Sequence, residues 1–231
     1  MSGPPSPTPR RSQQTTRLLV VDDHDMFAES LRLVLSAEAD LEVVGTATSL
    51  RAARVLLLST RPDVVLLDNR LPDGIGVDAI PAFKALRHDV QVVMLTALAE
   101  DAMLVRAIEA GCAGFVLKTS PLDDLVVAVR GAAAGDITIS QDLLGRLLNR
   151  LHPDQQGARY DLTAREREIL GFISRGLTNG AIAKELFISV NTVRNHVQSL
   201  LAKLEAHSKL EALSIAIRDG ILAPPGSPEP S

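Results

Sequence analysis

The sequence predicts an α/β protein: a doubly wound, five-stranded parallel sheet followed by a smaller all-α domain. Three observations predict it. Short apolar runs alternate with helical periodicity five times between Arg17 and about Gly135, the pattern of βαβ units joined by right-handed crossovers. Runs such as Val64-Val65-Leu66-Leu67 are apolar at every position, as strands covered on both faces are. From Asp161 onward the chain reads as capped helical segments.

The elements follow in order. Residues 1–16 are rich in Pro, Ser and Thr without periodicity and read as a disordered tail. The first domain spans 17–137. Its first strand is Leu18-Leu19-Val20-Val21, which runs into Asp22-Asp23-His24-Asp25. Met26, Phe27, Leu31, Val34 and Leu35 then recur at helical spacing. Glu42 to Thr48 is the second strand and Leu50 to Ser59 the second helix. The third strand ends at Asp68, where Pro72 and Gly74 force a turn. Val77 to Leu86 is a helix, and Gln91 to Leu95 a strand closed by Thr96. A helix runs from Glu100 to Ala110, stopped by Gly111. Gly114 to Leu117 is the fifth strand, closed by Lys118. Ser120-Pro121 predicts an N-cap with Pro at the first helical position, opening a helix that runs to about Gly135.

Residues 138–160 read as a linker with one amphipathic helix through Leu143, Leu144, Leu147, Leu148 and Leu151. In the second domain, 161–222, Thr163-Ala164-Arg165-Glu166 is a capping box. Thr178 opens a short helix. Phe187-Ile188 make a turn, and Ser189 caps a helix from Val190 to about Glu205. Ser208-Lys209-Leu210-Glu211 is a second capping box, opening a last helix stopped by Gly220. Two short helices across a tight turn, with supporting helices, is the helix-turn-helix layout. Residues 223–231 form a Pro-rich tail.

Composition narrows the class. Hydrophobic content of 46% with only 3% aromatics predicts a core of Leu, Val, Ile and Ala. No stretch approaches the roughly 20 apolar residues a bilayer span needs, and the N-terminus has no apolar segment of a secretory signal. The single Cys112 excludes an intrachain disulfide and is expected to be a buried, inert thiol. A cytoplasmic protein with no membrane partner is expected. Charge is uneven: Arg17–Asp136 holds 11 basic and 18 acidic residues, net -7, whereas Asp161–Pro224 holds 8 and 7, net +1.

Chemistry gathers at predicted strand ends. Asp22, Asp23 and Asp68 end the first and third strands, which are neighbours in a flavodoxin-like order 2-1-3-4-5, at the switch point where ligands bind. Three carboxylates there repel unless a cation binds, and an oxygen-only set with open positions suits Mg²⁺. Thr96 offers a hydroxyl and Lys118 an ammonium. A carboxylate nucleophile, a metal site, a donor and a cation are the equipment for accepting a phosphoryl group.

Val21-Asp22-Asp23-His24, Leu66-Leu67-Asp68, Leu71-Pro72 with Gly76, Leu95-Thr96-Ala97, and Gly111 with Gly114-Phe115-Val116-Leu117-Lys118 resemble the receiver domain of two-component response regulators. Leu162-Thr163-x-Arg165-Glu166, Ile182-Ala183, Ile188-Ser189-x-x-Thr192-Val193-Arg194-x-His196-Val197 and Lys203-Leu204 resemble the LuxR-type helix-turn-helix. Together they are similar to the NarL/FixJ class. The resemblance implies that Asp68 is the phosphoacceptor. Asp22, Asp23 and Asp68 would hold Mg²⁺ with the backbone carbonyl of Arg70, Thr96 and Lys118 would engage the phosphoryl oxygens, and Phe115 would be a rotamer-switching aromatic. Two positions depart: Asn69 stands where an aliphatic residue is common, and Thr119 where many receivers have Pro.

The recognition helix presents polar residues opposite the apolar stripe of Val193, Val197, Leu200, Leu201 and Leu204. Arg can fork onto guanine, and Asn or Gln onto adenine. The resemblance implies that Arg194, Asn195 and Gln198 face bases, that Thr192 and His196 touch phosphate, and that Lys184 adds a backbone contact. Asn179-Gly180-Ala181 departs from the commoner Asn-Lys-Glu, removing one basic side chain. Leu210, Leu213, Ile217 and Ile221 form a stripe on the last helix, some of it expected to pack on the domain and the rest to form a dimer interface. One such small domain buries too little DNA for specific affinity, so a homodimer on paired sites of promoter DNA is expected.

The expected function is a DNA-binding transcriptional regulator, not an enzyme, switched when a sensor histidine kinase phosphorylates Asp68. Two rivals carry different expectations. A phosphatase with an aspartyl-phosphate intermediate commonly has a second acid two residues after the nucleophile, where this chain has Arg70. An unphosphorylated pseudo-receiver has no use for the complete acidic set.

Overall fold

Val64–Asp68 forms β3, and every residue in it is buried. An apolar strand of this kind needs cover on both faces, and the fold supplies it. The computed structural model describes residues 15–97, 101–140, 143, 144 and 160–222. The sheet is parallel, with β2 (Leu41–Ala47), β1 (Thr16–Val21), β3, β6 (Gln91–Thr96) and β7 (Gly114–Leu117) side by side in that order. This is the predicted flavodoxin-like arrangement; between β3 and β6 the chain also makes a small antiparallel hairpin of β4 (Arg70–Leu71) and β5 (Gly74–Ile75).

Alternation along the strands divides the core. Leu19, Val21, Val65, Leu67, Val92 and Met94 face one layer, with Leu57 of α2 (Leu50–Thr60), Ile80 and Phe83 of α3 (Gly76–Leu86), and Leu104 and Ile108 of α4 (Asp101–Glu109). Leu18, Val20, Val64, Leu66, Val93 and Leu95 face the other, with Leu31 and Leu35 of α1 (Asp25–Leu35) and Leu125 and Val129 of α5 (Leu122–Ala133). Cys112 is buried and its thiol pKa is pushed up by that burial, in line with an inert packing role.

Two local expectations are corrected. The first strand starts at Thr16, because the Thr16 amide reaches the Asp40 carbonyl. Ser120 does not cap α5: its amide bonds the Leu117 carbonyl, and the cap position falls one residue later, on Pro121, with no side-chain cap bond.

The second domain comprises α6 (Ala164–Ser174), α7 (Asn179–Glu185), α8 (Val190–Lys203) and α9 (Lys209–Arg218) around Ile169, Leu170, Ile182, Val193, Leu200 and Ala212. Thr163 and Glu166 form the predicted capping box, and Thr178 and Ser189 cap their helices through the side chain. Ser208 also caps, but the second box is only half made, because Glu211 turns its carboxylate to the His207 amide. Both tails, except for Thr15 and Thr16, lie outside the described residues. So does the linker helix apart from Leu143 and Leu144, which are buried.

The domains pack together. Leu210, Leu213 and Ile217 of α9 join the apolar layer that contains α4, and α9 lies against α4. The Ser208 hydroxyl donates to the Cys112 carbonyl at 2.8 Å, and the buried Lys84 ammonium to the carbonyls of Val90 (2.7 Å) and His207 (3.3 Å).

Candidate functional site

Strand register assembles the acidic pocket. Val21 pairs with Leu67, so the next residues, Asp22 and Asp68, leave the sheet side by side. Asp68 pairs with Leu95 and Thr96 with Leu117, which brings Thr96 and Lys118 to the same carboxyl edge. Asp22 and Asp68 are buried; Asp23 is exposed. The Lys118 ammonium bridges them, 2.6 Å from Asp22 Oδ2 and 3.1 Å from Asp68 Oδ2, and lies 5.1 Å from the Phe27 ring centre. Thr96 is buried and directly follows Leu95, the register partner of Asp68.

Electrostatics follow from this packing. Burial raises the Asp68 pKa above its ordinary value; Lys118 pulls it down and the Asp22 charge pushes it up again. Burial disfavours the Lys118 charge, but the two carboxylates outweigh that and its pKa rises. Ligand atoms of Asp22, Asp23, His24 and Asp68 all lie within 4.8 Å of one another. Lys118 contacts only two of these three carboxylates, Asp22 and Asp68, so the pocket has carboxylate oxygens to spare. Such a hard, anionic oxygen set fits Mg²⁺.

Two contributors were not predicted. His24 Nδ1 sits 2.8 Å from Asp23 Oδ1 and 3.2 Å from Asp22 Oδ1; its place directly after the acid pair was the available signal. The Asn69 amide donates to Asp68 Oδ1 at 2.8 Å, and its side-chain oxygen accepts from the Val77 amide at 3.3 Å, which ties the pocket to the start of α3. Gly76 matters sterically: a Cβ there would collide with the Asp68 carbonyl oxygen. Arg70 opens the small hairpin and is exposed. Phe115 stands outside the polar cluster, buried in the apolar layer with Met94 and Leu104.

On α8, the predicted recognition helix, Thr192, Arg194, Asn195 and Gln198 are exposed, and His196 is half-buried. Thr192 donates its amide to Ser189 Oγ at 3.0 Å. Lys184 is exposed on α7. Arg194 and Gln198 line a cleft of about 990 Å³ whose opposite wall includes Asp40, Asp63 and Asp89, near the amino ends of the strands. Leu210, Leu213 and Ile217 are fully covered by the chain itself, and Ile221 is half-buried.

Residues 18–130 match the family model described as the response regulator receiver domain, and residues 161–216 that of bacterial regulatory proteins of the luxR family. The response regulator protein VraR of Staphylococcus aureus is 34% identical over 209 residues, covering 90% of this chain and 99% of that protein. The chain is a two-component response regulator with a luxR-type DNA-binding domain. Among solved structures, the receiver domain of the response regulator NarL from Mycobacterium tuberculosis aligns at 35% identity and a TM-score of 0.51, over 53% of this chain and 98% of that one. A LuxR-family response regulator from Aurantimonas sp. SI85-9A1 aligns at 29% and 0.55, over 58% and 96%. No helix of this response regulator, among the described residues, is long and apolar enough to cross a membrane.

Proposed function

We propose that this response regulator controls transcription through phosphorylation of Asp68 by a sensor histidine kinase. The observation that carries the reading is the convergence of Asp68 with Asp22, Asp23, Thr96 and Lys118 at one sheet edge. A carboxylate oxygen of Asp68 would attack the phosphorus of a phosphohistidine. The P–O bond forms as the P–N bond breaks, and the imidazole leaves with the electron pair and takes up a proton. Asp22, Asp23 and Asp68, with the Arg70 carbonyl, would hold Mg²⁺, which supplies charge neutralisation for the transferring group. Lys118 would exchange its bond to Asp68 for one to a phosphoryl oxygen, and Thr96 would donate its hydroxyl.

The new charge of about -2 would draw Thr96 and Lys118 and displace α4, which follows the strand end of Thr96. Because α4 packs on α9, that displacement would loosen the second domain. Arg194, Asn195 and Gln198 would then read bases in promoter DNA, with Thr192, His196 and Lys184 on the backbone. Leu210, Leu213, Ile217 and Ile221 would support a homodimer once uncovered. The setting would be the cytoplasm, where kinase and DNA are both within reach. The exposed Arg70 two residues after Asp68 provides no second acid, which speaks against a phosphatase.

The test is treatment with acetyl phosphate and Mg²⁺, read by phosphate-affinity electrophoresis and by retention of genomic DNA fragments. Wild type is expected to shift and to bind more DNA. Asp68→Asn responding as wild type does would overturn the reading.

A further inference from the structure

The cleft wall on the receiver side ends in a turn after α5. Gly135 adopts a left-handed φ of +72° and folds the chain back, so that the Asp136 amide bonds the Gly131 carbonyl. The Asp136 carboxylate then points at the second domain. Its Oδ1 accepts the Asn179 amide at 2.9 Å and the Lys209 ammonium at 3.0 Å. The Asn179 side chain completes the contact: Nδ2 donates to the Ala134 carbonyl at 3.1 Å, and Oδ1 accepts from Lys209 at 2.7 Å.

Lys209 is 4% exposed. Burial lowers its pKa, the Asp136 charge opposes that, and the nearby Arg194 charge adds to it. Lys209 and Arg194 line the same cleft as Gln198. On the second domain, one continuous face runs from the predicted base-reading residues of α8 to the Lys209 ammonium. Withdrawing the receiver removes Asp136 and leaves the Lys209 ammonium with one neutral partner, the Asn179 oxygen, in a cleft lining that it shares with the exposed Arg194. Such a lining calls for an anion, and the anion that reaches a recognition helix is a DNA phosphate.

We infer that Lys209 is a DNA-backbone contact, and that Asp136 stands in the closed chain where a DNA phosphate stands in the bound one. The inference rests on the proposed reading of the second domain as a DNA reader. It separates two neighbouring charges by role: Asp136 only locks, whereas Lys209 both locks and binds.

The full-length chain tests this with a fluorescein-labelled duplex of mixed sequence, since a phosphate contact is indifferent to sequence, and anisotropy followed across a NaCl series. Unphosphorylated Asp136→Ala is expected to bind about tenfold more tightly than unphosphorylated wild type. Adding Lys209→Met to Asp136→Ala, where the bond between Asp136 and Lys209 is already gone, should weaken binding. It should also flatten the slope of log K against log [NaCl] by about 0.9 per bound chain, whereas Lys209→Arg in the same background should keep the slope. Thermal melts confirm folding, and Lys209→Gln replaces the Met variant if that one fails to fold. Equal slopes with and without Lys209, in chains that bind, overturn the inference and leave the DNA reading standing. If neither wild type nor Asp136→Ala binds duplex, the DNA reading fails and takes the inference with it.

Discussion

Lys118 balances two buried carboxylates with one charge, and its loss has a definite sign. Lys118→Met leaves Asp22 and Asp68 facing each other without an ammonium. The variant should lose about 3 kcal/mol of stability in the absence of divalent ions, the cost of breaking a buried pair. Added Mg²⁺ should stabilise it more than it stabilises wild type, because no ammonium competes for the oxygens; chemical denaturation with and without Mg²⁺ measures both. Gly76 makes a steric demand instead. Gly76→Ala pushes a methyl group into the Asp68 carbonyl, and urea unfolding should report a loss of about 1–3 kcal/mol. The acids, Thr96 and Lys118 were legible in the sequence because each directly ends an apolar run. Asn69 was not, because its contribution is a backbone amide bond that no spacing encodes, and His24, although it directly follows the acid pair, owes its contacts to a ring orientation.

At the scale of elements, α6 and α8 are joined through one carboxylate. Glu166 closes the capping box on Thr163 and also accepts from Ser199 (2.6 Å) and Lys203 (2.8 Å). Burial works to raise its pKa, but Lys203, Ser199 and Thr163 prevail and hold it at about 2, below the ordinary 4.5. A group depressed in this way stabilises the fold fully above its unfolded value, and that contribution fades as pH falls from 4.5 toward 2. Circular dichroism of wild type should therefore show the helical domain weakening over that interval. Glu166→Gln should weaken the domain by about 2 kcal/mol at neutral pH and remove most of the acid-linked loss. Caps were readable at Thr163, Thr178 and Ser189, each a Ser or Thr that directly precedes a helix. Ser120 misled because the following proline became the cap residue itself, and the two-residue hairpin strands β4 and β5 are too short to carry any period.

At the scale of the molecule, helical spacing showed that Leu210, Leu213 and Ile217 share one face but not what covers it; α4 does so here. The polar partners across the interface, Asp136 with Lys209 and Lys84 with the His207 carbonyl, are separated by 73 and 123 positions, beyond the reach of any local pattern. Leu213→Ser places a hydroxyl in that dry contact. It should open the chain and raise the radius of gyration in small-angle scattering, while receiver and helical domain each stay folded. The same stripe governs self-association. Three side chains seated on their own receiver are withheld from any twin, so each copy is the rival of its own partner. If about 1% of molecules have let go at a given moment, pairing through this stripe needs two such molecules at once, and the apparent dissociation constant rises by about 10⁴. A rise in the open fraction is felt twice over, which would let a modest shift in one molecule emerge as a steep threshold in the population.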